Sequence, residues 1–139
     1  MAFAGINWVA VFLAAGAGFM FGAVWYSVLA QAWMKAADLT ETEVKQEGAP
    51  VFRKNLPFLL AALGQFAMAF TMAGLMAHLV VDLKHGLITA GIIWAGFVLP
   101  ALLVNHSFQN RPFALSLIDA GHWLGVLLII GAVIGASGV

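Results

Sequence analysis

The chain has 139 residues, of which 63% are hydrophobic and 9% charged, with a mean hydropathy of +1.00. Soluble domains carry roughly 25% charged residues, so this composition excludes an ordinary water-soluble domain and points to one compact unit whose main solvent is lipid. Six basic residues balance six acidic ones, which gives no argument for nucleic acid or anionic lipid as a partner, and the absence of cysteine excludes disulfides, iron–sulfur clusters and thiolate zinc sites.

The first predicted helix runs from about Ile6 to Leu29, enough to cross a hydrocarbon core of about 30 Å, which takes about 20 residues. No Lys or Arg precedes this run, and it is longer than the roughly 7–15 residues of a signal-peptide core. Ala30-Gln31-Ala32 is therefore read as the exit of a membrane helix and not as a cleavage site. Ala14, Gly18 and Gly22 recur at every fourth residue. In lipid such a strip lets another helix approach closely, either within the chain or as a seam between chains. Trp8 near one end and Trp25-Tyr26 near the other suit the aromatic belts of a bilayer.

Residues 30–54 form a polar loop. Leu29, Trp33 and Met34 suggest a short interfacial segment. Thr40 and Glu43 then have the spacing of a capping box, and Glu41 and Lys45 that of an i,i+4 ion pair, so a small helix in water is expected. The second apolar helix spans about 55–81, with Pro57 in its first turn. Asp82, Lys84 and His85 make a tight turn into a third helix at about 86–104, where Pro100 predicts a kink because its ring meets the carbonyl of Gly96. Pro112 opens the fourth helix, 112–135, in which Gly121 with Gly125, and Gly131 with Gly135, repeat the small-residue spacing.

The fold class is therefore all-α: an integral membrane, antiparallel four-helix bundle in a single domain over 1–139. Lys35, Lys45, Arg53, Lys54 and Arg111 lie in the loops after helices one and three, and Lys84 alone lies on the opposite side. The positive-inside rule then places those loops in the cytoplasm and both termini on the non-cytoplasmic side.

The segments NWVAVFLAAGAGFMFGAVWYSVLAQAWMKAADLTETEVK and WAGFVLPALLVNHSFQNRPFALSLIDAG carry recognisable patterns. These are Asn7-Trp8, the Gly-x-x-Trp-Tyr of Gly22 to Tyr26, Trp33 to Lys35, Leu39 to Glu41, the Asn-His-x-Phe of Asn105 to Phe108, and the Ile-Asp-Ala-Gly of Ile118 to Gly121. On them the chain resembles, over nearly its whole length, a bacterial four-helix membrane family, number seventeen sixty-one in the domain-of-unknown-function series. One departure is Val28, where that family's pattern has Pro after Tyr-Ser. The resemblance implies the four-helix topology and a bacterial inner membrane; it implies no activity.

Asp119 is the one acidic residue inside an apolar run. At about 1.5 Å of rise per residue it lies about 10 Å below Pro112, with His122 about 15 Å deep and Gln65, counted from Asn55, also about 15 Å deep. These three side chains are expected at one level near the midplane, with His122 as the partner of Asp119, and with Asn105 and His106 toward the cytoplasmic end. Intramembrane ionisable residues suggest a proton or cation site by default; a structural reading has Asp119 accepting hydrogen bonds from His122, Trp123 or Arg111 and setting the register of the bundle. His106 and His122 also suit a haem by ligand type alone, but nothing pairs them, and no cofactor and no metal is expected. Two classes of function follow. The first is a non-enzymatic protein that works by association, as a homo-oligomer or accessory subunit among membrane lipids. The second is a small proton- or cation-coupled transporter or channel using Asp119 near the bilayer midplane.

Overall fold

The structure, a computed structural model, describes residues 5–79 and 81–138. Helices fill it: α1 (Trp8–Val28), α2 (Ala30–Ala37), α3 (Glu41–Val44), α4 (Val51–Met76), α5 (Leu83–Ile93), a π-helical turn (Trp94–Val98), α6 (Leu99–Phe108) and α7 (Phe113–Ser137). Among the described residues four stretches are long and apolar enough to cross a membrane, namely α1, α4, the continuous run Leu83–Phe108, and α7. The protein is an all-α membrane protein with four antiparallel spans.

Local chemistry sets the helix starts. Asn7 caps α1 by accepting from the Ala10 amide at 3.1 Å, and its Nδ2 donates to the Ser137 carbonyl at 3.3 Å, which brings the start of α1 beside the end of α7. Thr40 and Glu43 cap each other's amides at the start of α3. Asp82 caps α5 by accepting from the His85 amide at 2.8 Å, while its other oxygen meets the His85 ring at 2.8 Å. Pro112, in extended conformation, sets the entry to α7.

The spans differ from the sequence expectation at their ends. Helix two, expected over 55–81, begins at Val51 directly after Pro50 and ends at Met76; Val80 lies outside the described residues. Pro57 thus falls beyond the first turn, leaving the Arg53 carbonyl without its helical partner at an end rich in Arg and Lys that meets water. Helix three, expected over 86–104, runs from Leu83 to Phe108. The backbone conflict foreseen between Pro100 and Gly96 is taken up by the π turn, in which the Leu99 amide reaches back to the Trp94 carbonyl and widens the ladder ahead of the proline. Helices one and four, expected over 6–29 and 112–135, run over Trp8–Val28 and Phe113–Ser137.

The spans pack around α7, which buries Leu115, Ala120, Val126, Ile130 and Ile134 among its neighbours. Ala10, Val11 and Ala14 of α1 meet Ala69, Met72, Ala73 and Met76 of α4 in one core with Val126, Ile130 and Ile134, while Leu115 packs separately with Ala36 and Ala37 of α2. The Ala14–Gly18–Gly22 strip faces this interior, so the smooth face of α1 is used within the chain. The closest crossing is between α5 and α7. A Cβ on Gly131 would collide with the Gly86 carbonyl and one on Gly86 with the Gly131 carbonyl, both rigid backbone. In lipid, where packing holds helices together, such backbone approach is available only to glycine.

Two expected outcomes follow from this packing. Gly131→Ala should destabilise the bundle by about 1–3 kcal/mol, the usual cost of overpacking, whereas Gly16→Ala, whose Cβ meets nothing within 4 Å, should leave the melting temperature in detergent unchanged. The Asp82 carboxyl is held below the usual aspartate range by the His85 amide and then by the His85 ring. A depressed carboxyl stabilises the fold above its unfolded-state pKa, and that contribution is lost as pH falls through the folded value. Wild type should therefore melt above Asp82→Ala at neutral pH, and the two curves should converge in acid.

Candidate functional site

Ring donors from three segments converge on three consecutive residues of α7, Ile118, Asp119 and Ala120. The Trp25 indole of α1 donates to the Ile118 carbonyl at 3.1 Å. The Tyr26 hydroxyl donates to Asp119 Oδ1 at 2.8 Å, and the Trp33 indole of α2 donates to the same oxygen at 3.1 Å. Trp94, in the π turn, donates its indole N–H to the Ala120 carbonyl at 2.8 Å. Gly121 leaves room for the Trp25 ring, which a Cβ there would meet at 2.9 Å. His106 of α6 lies with Nε2 3.6 Å from Asp119 Oδ2, and its Nδ1 shares a 3.0 Å hydrogen bond with Ser116. The segments quoted above as Gly22 to Tyr26, Trp33 to Lys35, Asn105 to Phe108 and Ile118 to Gly121 are thus parts of one clasp. Arg111 braces it from outside, donating to the Ala37 carbonyl at the end of α2 at 2.9 Å.

Deeper in the bundle the polar side chains follow α1 in steps of one turn. Asp119 meets Tyr26; His122 lies over Gly22, where a Cβ would come within 2.8 Å of Nε2; Gln65 lies against Gly18, where a Cβ would come within 2.6 Å of Oε1. Successive steps are four residues apart, about 6 Å along the helix. The three side chains form a ladder about 12 Å tall, not the single level expected from sequence. Two of them are unsatisfied: Gln65, 3% exposed, and His122, 6% exposed, hold a buried Oε1 and Nδ1 with no hydrogen-bond partner. Both side chains line a groove of about 670 Å³ between α1, α4 and α7, walled by Phe19, Tyr26, Phe58 and Trp123.

Several sequence assignments change here. His122 is not the partner of Asp119; the Tyr26 ring, 4.7 Å from the His122 ring, takes that place. Arg111 is engaged with α2 instead of Asp119. Asn105 is exposed on α6 and outside the cluster. His106 turns one nitrogen to Ser116 and the other toward Asp119, so it is not presented to a haem iron. Gly125 makes room for Phe21, against whose ring a Cβ would collide. Sequence reasoning missed Trp25, Tyr26, Trp33 and Trp94 as donors. Their signal was chemical: a buried indole N–H or phenol O–H requires an acceptor, and Asp119 was the strongest acceptor within a span.

The clasp makes a graded prediction. Asp119→Ala leaves the Tyr26 and Trp33 donors without their acceptor and should destabilise the protein by about 1–3 kcal/mol. Asp119→Asn keeps an acceptor oxygen and should fall between it and wild type. Thermal unfolding in mild detergent reads the order, and equal melting temperatures for all three would contradict the clasp.

Searches among curated proteins and among solved structures return no match. The family model described as a protein of unknown function, DUF1761, matches residues 9–135, which takes in nearly the whole of the four spans and every element of the clasp. The chain belongs to the DUF1761 family.

Proposed function

We propose that this is a bacterial inner-membrane protein that works by association, as a homo-oligomer or as an accessory subunit of a membrane complex, and neither catalyses a reaction nor moves ions. The observation that carries the reading is the state of α4. Its second half packs on α1 and α7, with Gln65, Ala69, Met72, Ala73 and Met76 buried. Its first half leaves the bundle, and between Val51 and Leu63 no residue is buried. Phe52, Phe58, Leu59, Leu60 and Leu63 stand out from it. Helices in lipid hold together by packing, and a span packed along half its length is one prepared to receive another helix.

Translocation through one chain finds no support. The polar ladder stops at Gln65. Beyond it, toward the chain termini, α1, α4 and α7 close on Val11, Ala14, Met72, Met76, Ile130 and Ile134, all at most 2% exposed. An ion that reached Gln65 would meet only apolar side chains. Orientation follows from charge: Lys35, Lys45, Arg53, Lys54 and Arg111 gather at the α2–α3 end, which the positive-inside rule assigns to the cytoplasm.

The chain has no cysteine, so single cysteines report without background. Leu59→Cys and Leu63→Cys, exposed on α4, should cross-link in native membranes, to a second copy or to a partner subunit. Ile92→Cys, exposed on α5, should not. A membrane-impermeant maleimide applied from the periplasm should label Lys84→Cys and spare Glu47→Cys. A monomeric mass in native mass spectrometry, together with no cross-link at residue 59 or 63, would overturn the association reading.

A further inference from the structure

We propose that the groove between α1, α4 and α7 is a binding site for an uncharged, lipid-soluble molecule whose head carries carbonyl or hydroxyl oxygens, with Gln65 and His122 as its hydrogen-bonding partners; a tailed quinone is the class that fits. The proposal goes beyond the association reading and does not depend on it.

Three observations carry it. The first is the pair of side chains. Gln65 and His122 are more than nine-tenths buried and both border the groove, and among the described residues Gln65 Oε1 and His122 Nδ1, enclosed just behind its floor, have no hydrogen-bond partner, so a small rotation of either side chain would present them to a ligand. A buried polar group without a partner is costly, and the chain keeps two of them at neighbouring steps of one ladder. An amide and an imidazole each donate and accept, so they suit a carbonyl and a hydroxyl equally.

The second is depth. Gly18 is the central residue of α1 (Trp8–Val28), so Gln65, packed on it, lies at the middle of the span, about 15 Å from either end. His122 lies one turn nearer the basic end. A charged headgroup is costly at that depth, and no Asp, Glu, Lys or Arg lines the groove to receive one. Asp119, the nearest carboxyl, is held by Tyr26 and Trp33. Phospholipid headgroups belong at the interface. A neutral head on a flexible apolar tail is what reaches the midplane.

The third is shape. The groove holds about 670 Å³, within the range of small-molecule pockets and far beyond the roughly 30 Å³ that one water fills. Its aromatic walls, Phe19, Tyr26, Phe58 and Trp123, offer faces for a flat ring. The free half of α4 leaves the mouth open along the bilayer for a tail.

The test uses the whole protein in phosphatidylcholine nanodiscs, titrated with a decyl-tailed benzoquinone and followed by quenching of tryptophan fluorescence. Wild type should show saturable quenching. Gln65→Leu and His122→Phe should each weaken binding about tenfold, the equivalent of one good hydrogen bond. Ala61→Trp, which fills the mouth from an exposed position on α4, should abolish it. Without quinone, Gln65→Leu should melt no lower than wild type, because it removes an unsatisfied buried group; that separates loss of binding from loss of fold. Quenching that rises linearly and identically in all four proteins is partitioning alone and would overturn the proposal. So would a lowered melting temperature for Gln65→Leu, which would show Gln65 to be satisfied within the fold. A stoichiometric phospholipid that survives quinone titration in native mass spectrometry would assign the groove to lipid instead.

Discussion

A hydrocarbon interior offers no water to complete a hydrogen bond, so polar groups within a span must be satisfied by the protein itself. Asp119 is where that constraint is sharpest in this chain. Its Oδ1 accepts from Tyr26 and Trp33, and the carbonyls on either side of it accept from Trp25 and Trp94. Four donors from three segments therefore address three consecutive residues of α7. This sets both the rotation of α7 about its axis and its height in the bundle. With α7 placed, Ala120, Val126, Ile130 and Ile134 are committed to the core, and Gly131 and Gly135 are committed to the crossing with α5. The apolar contacts supply the area; the clasp selects one of the many arrangements that area alone would allow.

Much of the fold was open to reading because length and hydropathy are nearly sufficient to define a span. Asp119 stood out as an acidic residue within an apolar run, and Thr40 because Glu43 follows it at capping-box spacing. The partners of Asp119 were hidden for a physical reason. Tyr26 and Trp33 lie 93 and 86 residues away along the chain, and no local period connects them. Trp25 and Tyr26 were placed in the aromatic belt because amphipathic rings favour the interface. They do sit at the end of α1, but their polar tips turn inward to α7. The single-level reading of Asp119, His122 and Gln65 failed on helix starts. Proline breaks ladders, so Pro57 looked like a beginning, whereas Pro50 holds that place and the first turn forms on Val51. The four residues between the expected and observed starts amount to about 6 Å, the height of one step of the ladder. The π turn was hidden as well: Pro100 announced a conflict with Gly96, but no local pattern says that a widened turn over Trp94–Val98 takes it up, with the Trp94 indole bonded across to Ala120.

The clasp also accounts for the groove. Toward the termini α1 lies close along α4, with Trp8 stacked on Phe70 and Phe12 tilted on Phe66 at ring separations of 5.6 and 5.3 Å. Past Gly18 the two helices have different obligations. Phe21 fills the space left by Gly125, Trp25 that left by Gly121, and Tyr26 reaches Asp119, so the last turns of α1 lean on α7. The chain then continues through α2, which Trp33 and Arg111 hold to the start of α7 and the turn before it. Among the described residues nothing comparable draws in the beginning of α4, which is fed by the exposed segment around α3. The wedge between α1 and α4, with Gln65 and His122 at its floor, is thus what remains when one helix is pulled toward α7 and its neighbour is not.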